Sequence, residues 1–151
     1  RWLYVMSDRG GDFQIWRMAP DGSGAQQVTR RGGYVGYESH DGEILYHVKP
    51  RSAGIWRVPV GGGEEEMLAS YRSVGDCGNW AVAAAGIYFA AYYRSGPVVL
   101  FYDFASGTTR RIVEVPGIVL GSLDVTADGG ALLYGRNDLE AADLMLVDGF
   151  R

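Results

Sequence analysis

Residues 32–70 read GGYVGYESHDGEILYHVKPRSAGIWRVPVGGGEEEMLAS, and this stretch decides the fold. Gly32–Ser39 predicts a first strand. Asp41–Gly42 then supplies a tight turn, because Asp tolerates and Gly favours positive φ at hairpin positions. Glu43–Lys49 is a second strand, with Ile44, Tyr46 and Val48 on one face and Leu45 on the other. Gly54–Val60 is a third, and Gly61–Gly62–Gly63 turns the chain into a fourth over Glu64–Ser70. Four short strands in a meander make one sheet of a repeated unit.

The same order returns along the chain. A strand carrying a tyrosine precedes a strand built on a bulky apolar pair in WLYVMSD with QIWRMAPDGSG, in GIYFAAYY with VVLFYDFASG, and in ALLYGRND with DLMLVDGF. The tyrosines are Tyr4, Tyr46, Tyr88 and Tyr134, separated by 42, 42 and 46 residues. That spacing lies in the blade-sized range of about 40–50 residues typical of propeller repeats. Repeat one lacks its first strand and keeps AQQVTR as its last, repeat three opens on NWAVAAA and closes on TTRRIVEV, and repeat four opens on GSLDVTA. The expected strand count is three, four, four and three. The fold class is therefore all-β, a partial β-propeller of about four repeats over one domain, 1–151, with repeats near 1–30, 31–70, 71–115 and 116–151.

Strands apolar on nearly every position belong between neighbouring sheets, and polar strands at an exposed edge. Here the middle strands are apolar, and the fourth strands carry Gln26, Gln27, Glu64, Glu65, Arg110 and Arg111. The gradient predicts sheets stacked face to face, fourth strands outermost. Glu64–Glu65–Glu66 reads as a solvated edge that discourages aggregation. A repeat cannot bury both faces alone, and two copies about a two-fold axis would close an eight-sheet ring. A homodimer is expected.

Composition narrows the function. A net charge of −4 argues against a surface that neutralises phosphates, so no nucleic acid is expected to bind. Apolar runs are broken by Gly, Asp, Arg or Ser well before the roughly 18 residues of a membrane helix, which predicts a soluble domain with no membrane span. The lone Cys77 in GDCGNW cannot close an internal disulfide and has no paired His and Asp around it. A G-x-S-x-G nucleophile elbow is missing from the sequence, so the chain reads as no enzyme, with no cofactor. Asp8 and Asp12, and Asp138, Glu140 and Asp143, do not follow a calcium-loop pattern, and no metal is expected. His40 reads as a surface turn residue and His47 as a packed one.

The recurrent polar feature is an arginine in the loop after each second strand: Arg9, Arg51, Arg94 and Arg136. In a radial array all four emerge at one end. They either lock neighbouring sheets through acidic partners or form a basic rim for an acidic peptide or carboxylate. Trp16 and Trp56 fall at matching positions and read as packing, whereas Tyr92–Tyr93, Tyr34 and Tyr37 do not align across repeats. Tyr92 and Tyr93 join the arginines as candidate ligand-binding residues.

The run from Ser7 to Thr29, SDRGGDFQIWRMAPDGSGAQQVT, resembles the repeat signature of TolB-like propellers, which are WD40-like in architecture. Ser39–His40–Asp41–Gly42 with Ile55–Trp56, and Thr126–Ala127–Asp128–Gly129, are similar to the same pattern. Repeat three departs from it, with AAAG and FASG in the turn positions. DLMLVDGFR is similar to the C-termini of bacterial multidomain proteins in which a winged-helix region precedes such a propeller, and the chain reads as the C-terminal portion of one. The resemblance implies a non-catalytic protein-interaction or ligand-sensing module with a protein or peptide partner. The alternatives are a propeller accessory to a missing serine peptidase-like domain and a carbohydrate-binding propeller. Compartment stays open between bacterial periplasm and cytoplasm.

Overall fold

The computed structural model describes residues 2–50, 52–70, 79–126 and 128–136. Thirteen strands and no helix occur among them. Sheet one comprises β1 (Leu3–Ser7), β2 (Gln14–Met18) and β3 (Gln26–Gln27); sheet two comprises β4 (Gly36–Glu38), β5 (Ile44–Lys49), β6 (Ser52–Pro59) and β7 (Glu66–Ala69). Sheet three is β8 (Trp80–Ala83), β9 (Gly86–Tyr93), β10 (Gly96–Asp103) and β11 (Thr109–Glu114), and sheet four is β12 (Ile118–Val125) with β13 (Leu132–Arg136). Within each sheet the strands follow chain order and pair antiparallel, as the meander reading requires. The third strand expected in repeat four, DLMLVDG, lies outside the described residues, as do Cys77, Asp138, Glu140 and Asp143.

Side-chain alternation explains why the middle strands are apolar at most positions. Leu45 of β5 packs with Val58 and Val60 against Ile15 and Val28 of sheet one. Its neighbours Tyr46 and Val48 point the other way, into a cluster with Trp80, Ile87, Phe89, Val98 and Leu100 of sheet three. Sheet three repeats the device: Tyr88, Ala90, Val99 and Phe101 leave its second face to meet Ile118 and Leu123 of sheet four. Three apolar interfaces therefore join four sheets in a row, each fed by one parity of the strands beside it.

The turns show what the recurrent Ser/Thr-x-Asp-Gly signature does. In sheet two the Ser39 hydroxyl donates to Asp41 at 2.5 Å and accepts the amide of Ile44 at 3.0 Å, while Gly42 takes φ +77°. In sheet four Thr126 donates to Asp128 at 2.6 Å, accepts the amide of Ala131 at 3.0 Å, and Gly129 takes φ +72°. The hydroxyl closes the first-to-second hairpin, the carboxylate orients it, and glycine supplies the left-handed backbone. These hydrogen bonds hold the Asp41 and Asp128 carboxyls below the usual carboxylate range. The second position makes no such bond, so a histidine at 40 sits there exposed. FASG is likewise a variant of DGSG: Asp103 accepts from the amide and hydroxyl of Ser106, as Asp21 does from Ser23.

One expectation fails. Glu65 is not solvated; it is buried, with 8% of its surface exposed. Its carboxylate sits 2.6 Å from the buried Lys49 ammonium and 4.0 Å from Nε2 of His47. Lys49 in turn lies over the Trp56 ring at 3.5 Å. Leu45, His47 and Lys49 share the face of β5 that meets sheet one, so the end of that face brings a cation indoors and needs a counter-charge. Alternation past Gly63 turns Glu65 inward while Glu64 and Glu66 remain exposed, and Glu66 makes only an exposed pair with Arg57.

Candidate functional site

The hairpins joining second to third strands, and the links from each sheet to the next, leave the sheets at one end, because a meander alternates its turns between two ends. Arg9 lies in the β1–β2 loop, Arg94 in the β9–β10 turn and Arg136 at the end of β13. Arg51 lies outside the described residues. Arg9 stacks on the Trp16 ring at 4.5 Å and donates to the Ser7 hydroxyl at 3.2 Å. Neither Arg9 nor Arg94 forms an ion pair with an acidic group among the described residues. Among the described residues, the locking alternative finds no acidic partner for these two. The two tyrosines diverge: the Tyr92 hydroxyl accepts a hydrogen bond from the buried Asn79 amide at 2.7 Å, whereas Tyr93 is more than half exposed.

At the same end, a concavity of about 440 Å³ opens between sheets one and two. Asp12 and Phe13 from the β1–β2 loop, Arg30, Arg31 and Tyr34 from the link to β4, and Pro50 beyond β5 form its walls. Phe13 meets Tyr34 edge to face, centroids 5.6 Å apart and planes at 70°. The backbone of this link is held from inside. Glu65 accepts the amides of Arg30 at 2.6 Å and Arg31 at 3.0 Å, and Gln14 accepts that of Gly32 at 3.1 Å. The amide of Gly33 reaches the Phe13 carbonyl at 3.0 Å, and that of Tyr34 reaches Val48 at 2.9 Å. Burial pushes the Glu65 carboxyl up, but the amides of Arg30 and Arg31 and the Lys49 ammonium outweigh it and hold it below its ordinary range. Sequence reading missed this site because its determinants, Gln14 and Glu65, act across sheets. The inward parity of Glu65 opposite His47 and Lys49 was the available signal.

A second concavity, about 430 Å³, lies where the first strands of three sheets converge, lined by Tyr37 and Glu38 of β4, Trp80 to Val82 of β8, and Leu123 and Asp124 of β12. Tyr37 stands edge-on to Trp80 at 4.6 Å. Burial, then the Asp124 carboxylate, push the Tyr37 hydroxyl up; burial and Glu38 do the same to Tyr4. This inner concavity is acidic and aromatic, the opposite in charge to the rim carrying Arg30 and Arg31. No group of three or more metal-ligating side chains gathers among the described residues.

No family model matches the chain. An uncharacterised protein of Agrobacterium fabrum is 29% identical over a stretch covering 45% of this chain and 27% of that protein. Among solved structures, TolB of Acinetobacter baumannii superposes with a TM-score of 0.75 at 16% identity, covering 93% of this chain and 37% of that one. Oligogalacturonate lyase of Vibrio parahaemolyticus gives a TM-score of 0.67 at 14% identity, over 91% of this chain and 44% of that one. The chain thus spans less than half the length of these proteins. Its stacked meander sheets, three interfaces and repeated hydroxyl-Asp-Gly turns are those of a partial β-propeller with the TolB-like fold.

Proposed function

We propose that this chain is a non-catalytic protein-interaction module whose binding surface is the end carrying the second-to-third hairpins. The observation that supports it best is that Arg9 and Arg94 stand exposed at that end with no acidic partner among the described residues. Arg94 follows exposed Tyr93 directly in the β9–β10 turn, and Arg and Tyr are the residues enriched at interaction hot spots. The partner is a protein or peptide with carboxylates to meet the arginines, which bind such groups through paired, charge-assisted hydrogen bonds. Likeness to TolB favours a binding role, and likeness to a lyase acting on an acidic sugar polymer makes a carbohydrate the reading to compete against. An array displaying acidic peptides, basic peptides and oligogalacturonides tests the proposal. Peptide signals that weaken in an Arg9→Glu/Arg94→Glu variant are expected. Signals on the sugars alone, or turnover of them, would overturn it.

A further inference from the structure

We infer that the concavity between sheets one and two is an anchoring site for an acidic peptide segment bearing one aromatic side chain. This inference rests on the loop-end binding role proposed above and assigns the residues that would carry it. The main chain from Arg30 to Tyr34 has each of its five amides engaged inside the protein, by Glu65, Gln14, Phe13 and Val48. A ligand therefore finds no backbone donors here, and recognition falls to the side chains. Arg30 and Arg31 project from this fixed backbone, exposed, and neither forms an ion pair among the described residues. In a chain of net charge −4, two adjacent exposed cations at a concavity mark a place where carboxylates are favoured.

The walls select the rest of the ligand. Phe13 and Tyr34, at 70° to one another, make an angular cleft rather than a flat platform. A flat platform suits the face of a sugar ring; a cleft with one edge and one face suits an inserted aromatic side chain, which gains offset or edge-to-face contact on both walls. Asp12 places one negative charge on the same rim, so the ligand's carboxylates are directed to the arginine side. Because the loop is already tied down, little conformational entropy is lost on binding.

The test is fluorescence anisotropy on the whole chain. The probe is a fluorescein-labelled synthetic peptide of Glu and Asp residues around one central Phe. Two controls replace its acids with Lys, or its Phe with Ser. The acidic Phe peptide is expected to bind, with affinity that falls as salt rises. Loss of charge-assisted contacts in Arg30→Glu/Arg31→Glu should weaken it by about tenfold or more, and Phe13→Ala and the Ser peptide should weaken it as well. Melting temperatures of the arginine variant should match the parent, since the guanidinium groups form no ion pair among the described residues. Equal affinity in parent and Arg30→Glu/Arg31→Glu, equal affinity for the Lys peptide, or no binding of the acidic peptide would each overturn the assignment. If Arg9→Glu/Arg94→Glu abolishes binding while Arg30→Glu/Arg31→Glu does not, the pocket assignment fails and the loop-end role stands. If oligogalacturonide binds in an Arg30- and Arg31-dependent way and the peptide does not, the peptide occupant is wrong.

Discussion

Replacing Glu65 should show that a single carboxylate joins sheet two to the link from sheet one. In Glu65→Ala, the Lys49 ammonium, 5% exposed, keeps its contact with Trp56 but loses the carboxylate at 2.6 Å. The amides of Arg30 and Arg31 lose their acceptor at the same time. Removing one partner of a buried ion pair costs about 3–5 kcal/mol. Each orphaned donor adds about 1–3 kcal/mol where water cannot replace the acceptor. The link is only partly buried, so water satisfies the amides in part, and the expected loss is about 4 kcal/mol. Glu65→Gln keeps an oxygen for the amides and loses only the charge, so it should lie between parent and Ala, at about 2–3 kcal/mol. A Lys49→Met/Glu65→Gln pair removes the stranded cation and keeps the acceptor; it should recover most of the loss, because a buried ion pair can be replaced by neutral groups at little cost. Urea unfolding of the parent, Glu65→Gln, Lys49→Met and the double variant closes a double-mutant cycle, with Glu65→Ala measured beside it. A loss below about 1 kcal/mol in Glu65→Ala would refute the reasoning, and so would a double variant less stable than Glu65→Gln alone.

Other outcomes follow from the same structure. Burial, the largest cause, lowers the His47 pKa from 6.5 to about 4, the Glu65 charge opposing and the Lys49 charge adding to it. Its folded pKa lies below its unfolded one, so the stability it confers is complete above about pH 6.5 and drains away as pH falls toward about 4, by about 3 kcal/mol at 1.36 kcal/mol per unit; urea midpoints at stepped pH should show a slope that His47→Gln flattens. A Cβ at Gly86 would run into the Tyr102 carbonyl and the Phe101 ring, so Gly86→Ala should cost about 3 kcal/mol in urea unfolding, at the upper end of overpacking, while Gly10→Ala, with open space around it, should leave the midpoint unchanged. Leu3 on the outer face of sheet one and Leu133 on that of sheet four are exposed, at 47% and 72%; light scattering should report a mass twice that of one chain, and a monomer would dismiss the two-fold ring closure.

Much of the fold was legible because the middle strands of sheets two and three each serve two interfaces. A strand such as β9, GIYFAAYY, has no polar position until its end, which only a strand covered on both faces requires. The hydroxyl-Asp-Gly turns were legible because their bonds are local: Ser39 and Asp41 are two residues apart, as are Thr126 and Asp128. The concavity between sheets one and two was not legible. Glu65 meets Arg30 across 35 residues of chain, and in sequence it is one of three adjacent glutamates, set apart only by its inward parity opposite His47 and Lys49. Trp16 and Trp56 share a repeat position yet stack with different cations, Arg9 from a loop and Lys49 from a buried strand end. Periodicity shows that a position recurs, whereas the neighbouring sheet decides what it touches.

The serial arrangement of the three interfaces also sets an order of opening. Sheets two and three each contribute to two clusters, whereas sheets one and four contribute to one apiece among the described residues. An outer sheet can detach by breaking a single cluster, while releasing an inner one breaks two, so the energy of partial unfolding rises toward the middle of the stack. The amides of β9, whose side chains feed both of its neighbours, should be the last to exchange with deuterated solvent. The pocket on sheets one and two would then straddle the seam between an element that opens early and one that opens late, and a ligand bridging them would slow the first step of unfolding.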